Sequence, residues 1–283
     1  MFDPASIPNR LRAVEPGRLD AVAARVEDAS LNVAQPRQQS FYDGWLLRYS
    51  PGKAKRARSI NAIGTGVLPL AEKLAHCTEF YARRRLPCLY RVTPFSRPHD
   101  LDRTLEAAGY HAFQDTRVMT LELSDEISRA RTPAMRWVDV EHFARAFCEL
   151  HTLDAVQTQA EAERYARSVV DAAYIVRYGP DAKTPIGCGS VAIEGDLAGI
   201  FGMVTASAHR RQGIADALLA SLLNRARTAG ARIAYLQVEE GNRAARHAYG
   251  KFGFIDRYAY WYRVRPEDAA LDSTSSAQPE RDS

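Results

Sequence analysis

The chain has 283 residues, 46% hydrophobic and 25% charged, a balance that describes a globular protein with one large core or two ordinary ones. Its formal net charge of +4 is modest, and the basic runs Lys53 to Arg58 and Arg83 to Arg85 lack interleaved aromatics, so no nucleic-acid partner is expected. No apolar run approaches a membrane span and no charged-then-apolar leader opens the chain, so a cytoplasmic protein with no membrane partner is the expectation.

In chain order, residues 1–16 read as an arm, and Leu19, Val22, Ala23 and Val26 fall at helical spacing within Arg18 to Ala29. Asp43-Gly44 breaks into a strand at Trp45 to Tyr49, Pro51-Gly52 turns the chain, and Arg58 to Thr65 reads as the returning strand. A helix is predicted over Leu70 to Arg84, a strand over Leu89 to Thr93, a helix over Asp100 to Ala108 and a strand over Tyr110 to Leu123. The polar stretch 126–133 reads as a linker. Beyond it, Met135 to Val138 is a strand, Val140 to Leu150 and Glu161 to Ala172 are helices, and Tyr174 to Tyr178 and Ile186 to Ile193 are strands. The tail, 267–283, has almost nothing to bury and is expected to be disordered. The four cysteines, Cys77, Cys88, Cys148 and Cys188, show no CxxC and no paired His/Cys spacing, so no metal is expected. They read as ordinary thiols in a reducing compartment, with a thioester on Cys148 or Cys188 as the less favoured alternative.

The segment around which the chain is organised is the basic turn His209 to Ala215. An uncharged strand, Ala198 to Thr205, enters it, and Ile214, Leu218, Leu222 and Ala226 leave it at helical spacing, with Leu219 and Leu223 widening the same face. The first turn of a helix has N–H groups without intrahelical partners and sits at the positive end of the helix dipole. Gly213 lets an anion approach that backbone, Ala215 keeps the second approach open, and Arg210 and Arg211 add charge. The arrangement predicts a diphosphate cradle; the alternative is a solvated helix cap. A further strand, Arg232 to Glu239, leads to Asn242-x-x-Ala245-x-x-x-Tyr249-x-x-x-Gly253-Phe254, a helix closed by glycine.

Arg210-x-x-Gly213-x-Ala215 resembles the Arg/Gln-x-x-Gly-x-Gly/Ala signature of the GCN5-related N-acetyltransferase (GNAT) family, and the Asn242–Phe254 segment resembles that family's last helix. The resemblance covers roughly residues 134–265. It implies acetyl-CoA as cosubstrate, its pyrophosphate held by Arg210, Arg211, Gln212, Gly213, Ile214 and Ala215. It also implies that Val204 offers a backbone N–H to the reacting carbonyl while Met203 and Thr205 pair the pantetheine arm like an added strand. Asn242 would reach the cofactor near the pantetheine, or is simply an N-cap. Tyr249 would be the acid for the departing thiolate, or is a core aromatic. Many family members carry a glutamate on the strand before the cradle, which is lacking here. Glu239 at the end of the next strand is the candidate base. It could equally be a surface charge beside Arg243, with water relaying the proton instead.

The same order of elements occurs earlier in the chain. Gly109-Tyr110 and Gly253-Phe254 form equivalent corners at an offset of 144 (253 − 109), and the offset carries Val92 onto Leu236 and Leu105 onto Tyr249. The first copy lacks the arginine pair and has Pro69 in its turn and Leu105 in place of the tyrosine. The expectation is therefore an α/β (α+β) chain of two GNAT-like domains, each a mixed, mostly antiparallel sheet flanked by helices. Residues 1–125 form a degenerate half and 134–266 the acetyl-CoA-binding half. By resemblance the function is transfer of an acetyl group to a primary amine of a small metabolite or amino acid. A peptide or protein acceptor and a non-catalytic acyl-CoA-binding scaffold are the alternatives. A monomer or homodimer is expected. His151, Asp154, Tyr174 and the run Tyr258, Tyr260, Trp261, Tyr262 are candidates for the acceptor pocket.

Overall fold

The computed structural model describes residues 2–12, 20–50, 54–124 and 135–269; the expected turn at Pro51-Gly52, the linker at 126–133 and the tail from 270 onward lie outside the described residues. In chain order the elements are α1 (Asn9–Arg12), α2 (Ala21–Val33), β1 (Gln38–Tyr42), β2 (Trp45–Tyr49), β3 (Ile60–Asn61), α3 (Leu70–Ala82), β4 (Tyr90–Val92), α4 (Leu101–Ala107) and β5 (His111–Glu122). There follow β6 (Met135–Val138), α5 (Val140–Leu150), α6 (Ala155–Ala166), β7 (Asp171–Tyr178), β8 (Pro185–Glu194), β9 (Leu197–Thr205), α7 (Ile214–Thr228), β10 (Ile233–Glu239), α8 (Arg243–Lys251) and β11 (Ile255–Val264). The repeat is present in this order: α3 and α7 begin 144 positions apart (214 − 70), as do β5 and β11 (255 − 111).

Two compact units divide the chain: Met1–Leu19, Pro36–Thr116 and Ala259–Ser283 form one, Asp20–Gln35 and Arg117–Tyr258 the other. Each therefore takes a segment from the opposite half of the sequence. In the first unit, β1 and β2 form a hairpin on a two-residue turn whose left-handed backbone, Asp43 at φ 43° and Gly44 at φ 79°, suits the right-handed twist of the strands. β2 pairs antiparallel with β3, β3 runs parallel to β4, and the end of β11 lies antiparallel to β4 with Trp261 opposite Val92. Trp45, Ile60, Cys77, Tyr81, Tyr90, Leu105, Tyr110 and Trp261 build its core. β1 escapes the sequence pattern because Gln38 to Phe41 are all exposed, so no alternation of apolar residues marks it. The predicted strand Arg58 to Thr65 shrinks to two residues.

In the second unit the ladder runs β5-β10-β9-β8-β7-β6, antiparallel from β6 to β9 and parallel between β9 and β10. α7 buries Ile214, Leu218, Leu219, Leu222, Leu223 and Ala226 against it, the stripe that the sequence pattern predicts. The helix comes close because β8 offers glycines: a Cβ at Gly187 would meet Ile214 Cγ2 at 2.8 Å, and one at Gly189 would meet Leu222 Cδ1 at 3.0 Å. Cys188, between them, faces the opposite side and packs with Phe143, Ala146, Tyr165 and Val176. The predicted helix Glu161 to Ala172 lies earlier, at Ala155–Ala166. Asp154 starts it by accepting a hydrogen bond from Gln157 N at 2.8 Å, and residues from Asp171 onward are drawn into β7. The resulting architecture is a mixed-sheet α+β fold with duplicated elements.

Candidate acyl-CoA site

The site begins where β9 leaves its parallel neighbour. β10 and β9 pair from Ile233 and Leu197 as far as Leu236 and Ile200, while β9 goes on beside β8 to Thr205. Within that extension the β8–β9 register shifts between Cys188 and Ser190, and Gly202 opposite the shift has φ 60°. This is a bulge, and a bulge bends its strand. Only glycine suits the position: besides the left-handed backbone, a Cβ there would fall 2.9 Å from Phe143 Cζ and 3.0 Å from Tyr165 Oη. Gly202 shapes the bulge and was passed over in the motif pattern; an unexplained glycine inside an apolar strand was the signal.

Past the bulge, hydrogen-bond direction decides which amides are available. Ala206 N donates to Ile186 O on β8 at 2.9 Å, and Val204 sits opposite Cys188 two residues earlier. Amides two apart on a strand point the same way, so the Val204 N–H faces β8 and those of Met203 and Thr205 face the open side. The Val204 N–H is therefore directed at β8 and not at the splayed edge, where the amides are those of Met203 and Thr205.

After β9 a short 3-10 turn, Ser207–His209, leads into Arg210. Arg211 at φ 61° and Gly213 at φ 74° both take left-handed backbone, which turns successive N–H groups toward one concave side. Gly213 is the N-cap of α7, and no side chain caps the helix. A Cβ at Gly213 would meet nothing within 4 Å, so the space over the first-turn amides is open to an anion. Arg210, Arg211, Gln212 and Ala215 are exposed around it, Ile214 is buried beneath it, and neither arginine has an ion-pair partner among the described residues. Gln212 Nε2 donates to Ala208 O at 3.4 Å across the turn. These residues fit a diphosphate.

α8 carries the other named residues. Asn242 is its N-cap and accepts a hydrogen bond from Ala245 N at 3.2 Å. Tyr249 is half-buried against the α7-side core, with its ring 6.1 Å from that of Phe254. Burial raises its pKa above the ordinary tyrosine value, so the phenol keeps its proton at neutral pH. Glu239 is exposed at the end of β10. At Glu240, Oε2 lies 2.9 Å from Arg117 Nε and 3.2 Å from Arg246 Nε, and Arg246 forks onto Asp256 at 2.9 and 3.1 Å. This network pins α8 by its middle. Arg246→Ala should lower unfolding free energy by about 2 kcal/mol, the scale of a pair of charge-assisted hydrogen bonds. Urea unfolding that shifts by less than about 0.5 kcal/mol, the range of ordinary surface substitutions, would make the network ornamental.

Cys148 and Cys188 are buried and burial pushes both thiols up, which disfavours the thiolate that a thioester route needs. The Cys188 thiol donates to Gly202 O at 3.6 Å, a structural use at the bulge. Among the described residues no group of His, Cys, Asp or Glu is arranged for a metal, and no helix is long and apolar enough to cross a membrane. The aromatic run of β11 is core: Tyr258, Tyr260, Trp261 and Tyr262 are all buried, and Tyr258 donates to Glu27 Oε2 at 2.7 Å. Asp154 is a helix cap, and Tyr174 packs 4.9 Å from Phe143, in the cluster that touches Gly202. His151 lies at the end of α5, with its ring 4.4 Å from that of Phe147.

Over residues 23–263 the chain matches the family described as probable histone acetyltransferase Rv0428c C-terminal. It is 26% identical over 232 residues to the uncharacterised N-acetyltransferase YobR of Bacillus subtilis strain 168, which spans 78% of this chain and 90% of that protein. Among solved structures, a GCN5-related N-acetyltransferase from Kribbella flavida superposes with a TM-score of 0.66 at 17% identity, covering 88% of this chain and 97% of that one. A tandem GNAT protein from the clavulanic acid biosynthesis pathway superposes with a TM-score of 0.53 at 18% identity, covering 68% of each chain. At these identities the structural likenesses speak for the fold.

Proposed function

We propose a function from one premise: this chain belongs to the probable histone acetyltransferase Rv0428c C-terminal family, and with it to the GNAT acyltransferases in a duplicated arrangement. The reading is an acetyl-CoA-dependent N-acetyltransferase that acts on a primary amine of a small metabolite or amino acid by direct attack, with the cofactor held in the 134–266 half. The observation that carries it is the pairing of a splayed, bulged β9 with an uncapped, open α7 N-terminus eight residues further on.

Bound acetyl-CoA supplies an activated thioester carbonyl. The chain's own groups do the rest. First-turn amides of α7, with Arg210 and Arg211, hold the diphosphate; the Thr205 backbone pairs the pantetheine arm as an added strand would. The Met203 N–H donates to the carbonyl oxygen, whose negative charge grows during attack. Asn242 holds the start of α8 in place. Tyr249 keeps a proton on Oη for the departing sulfur. The incoming ammonium must lose a proton first, and β9 carries no carboxylate to take it. Glu239 or a water relay fills that role. The aromatic cluster of Phe143, Tyr165 and Tyr174 backs the bulge and forms one wall on the acceptor side.

The family's name favours a second reading, transfer to a protein lysine or N-terminus. One experiment separates them: purified protein with acetyl-CoA, thiol release followed against a panel of small amines and amino acids and, in parallel, lysine-containing and free-N-terminal peptides. Turnover on small amines with at least ~10-fold higher kcat/KM than on peptides, a gap of about 1.4 kcal/mol, is expected. The reverse ranking establishes the peptide acceptor. Acetyl-CoA binding without turnover on any acceptor points to the scaffold.

A further inference from the structure

The turn ahead of α3 stands at the repeat position of the turn ahead of α7, and a side chain closes it. At the repeat offset Val67, Leu68 and Pro69 stand where Arg211, Gln212 and Gly213 stand, and Pro69 and Gly213 are the respective N-caps, each without a capping side chain of its own. Both turns bend through left-handed backbone, at Gly66 in one and at Arg211 and Gly213 in the other. Around α7 the concave side is open. Around α3 it holds the carboxylate of Asp43: Oδ1 accepts from Val67 N at 2.8 Å, and Oδ2 from Val67 N at 3.1 Å and Leu68 N at 3.0 Å. A Cβ at Gly66 would collide with that carboxylate, whereas one at Gly213 would meet nothing.

The charge is balanced from below. Lys73, in the first turn of α3, is only 1% exposed, and its Nζ lies 3.0 Å from Asp43 Oδ2, 2.7 Å from Asp43 O and 2.8 Å from Thr65 O. All three ammonium protons thus have oxygen acceptors, and the charge also lies 4.4 Å from the Trp45 ring centroid. The hydrogen bond from Val67, foremost, holds the Asp43 carboxyl below the ordinary carboxylate range, so it stays ionised.

We infer that the N-terminal half retains an anion cradle and fills it from within, with the Asp43 carboxylate as resident anion and Lys73 as its counter-ion. A carboxylate and a phosphate ask the same thing of helix-terminal amides, negative charge and acceptor oxygens, so the internal anion excludes the external one. The α3 turn takes no diphosphate, and the chain binds one acyl-CoA. Removing the carboxylate leaves two amides and a buried ammonium facing one vacancy, a site for phosphate or diphosphate.

The inference takes its pattern from the proposed role of residues 210–215, so the test reads the two turns separately. Titration with inorganic pyrophosphate should show one site per chain in the wild type and two in Asp43→Ala, the added site being lost again in Asp43→Ala/Lys73→Met. A folded Asp43→Ala protein that binds no additional pyrophosphate overturns the inference. Amide exchange on the wild type covers the case in which the variant does not fold. Val67 and Leu68 amides should exchange slowly and be unaffected by acetyl-CoA, while residues 210–215 gain protection. Protection gained at Val67 and Leu68 on adding acetyl-CoA overturns the internal-anion reading; failure to gain it at 210–215 counts against the proposed function instead.

Discussion

Gly213→Asn is expected to weaken acetyl-CoA binding at least ~10-fold, about 1.4 kcal/mol, while leaving the thermal midpoint of the protein nearly unchanged. Gly213 has φ 74°, a conformation that costs most L-residues roughly 1–2 kcal/mol but that asparagine tolerates. The added Cβ would meet open space, because nothing lies within 4 Å of it there. What it would fill is the space over the free amides of α7. Its amide oxygen can also accept from one of them, as a cap does, and so compete with the diphosphate. Gly213→Val should lose binding as well and should also lose stability, because a β-branched residue pays the full left-handed penalty. Comparing the two variants by calorimetric titration and thermal unfolding separates exclusion of the ligand from strain in the turn. An asparagine variant that binds acetyl-CoA as tightly as the wild type would remove Gly213 from the cofactor site.

The open, uncapped turn ahead of α7 was legible because its parts are residue types whose chemistry is local. A glycine at a helix start, an arginine pair beside it and an apolar stripe behind it keep their meaning wherever the turn is placed. The duplicated order of elements was legible for a similar reason, since the glycine–aromatic corners at Gly109 and Gly253 end helices by backbone conformation alone. The direction of a strand amide is different. Whether Met203 or Val204 faces the open edge depends on which strand β9 pairs with, which the residues of β9 do not say, and on a bulge that Gly202 only hints at. Asp43-Gly44 was readable as a turn, but the partners of the Asp43 carboxylate lie 24 and 25 positions away, at Val67 and Leu68. The aromatic run of β11 misled for the opposite reason. Alternation would turn half its rings outward if one face met solvent, yet Tyr258 to Tyr262 are buried on both faces.

Tyr249→Phe should lower kcat by about 10²-fold, the low end of what a positioned general acid contributes, and leave acetyl-CoA affinity within a factor of two or so. The substitution removes one oxygen and keeps the ring that packs against Phe254 and the α7-side core, so the fold has no reason to move. In direct attack on a thioester the departing thiolate has an ordinary thiol pKa near ~8.5, and an acid with a higher pKa still assists if the proton passes as the bond breaks. Burial is the sole cause of the raised Tyr249 pKa. The protonated phenol is therefore present throughout the neutral range and lost only as pH climbs through that raised value. The wild-type kcat should accordingly hold its plateau past the ordinary tyrosine pKa of ~10, as far as the protein stays folded, and the phenylalanine variant should show a uniformly lower profile without that alkaline limb. Stopped turnovers monitored by thiol release across pH, with binding measured separately, give both quantities. If the phenylalanine variant turns over at the wild-type rate, Tyr249 is a packing residue and the proton reaches the sulfur from water, which the exposed mouth of the cradle at Arg210 to Gly213 would admit.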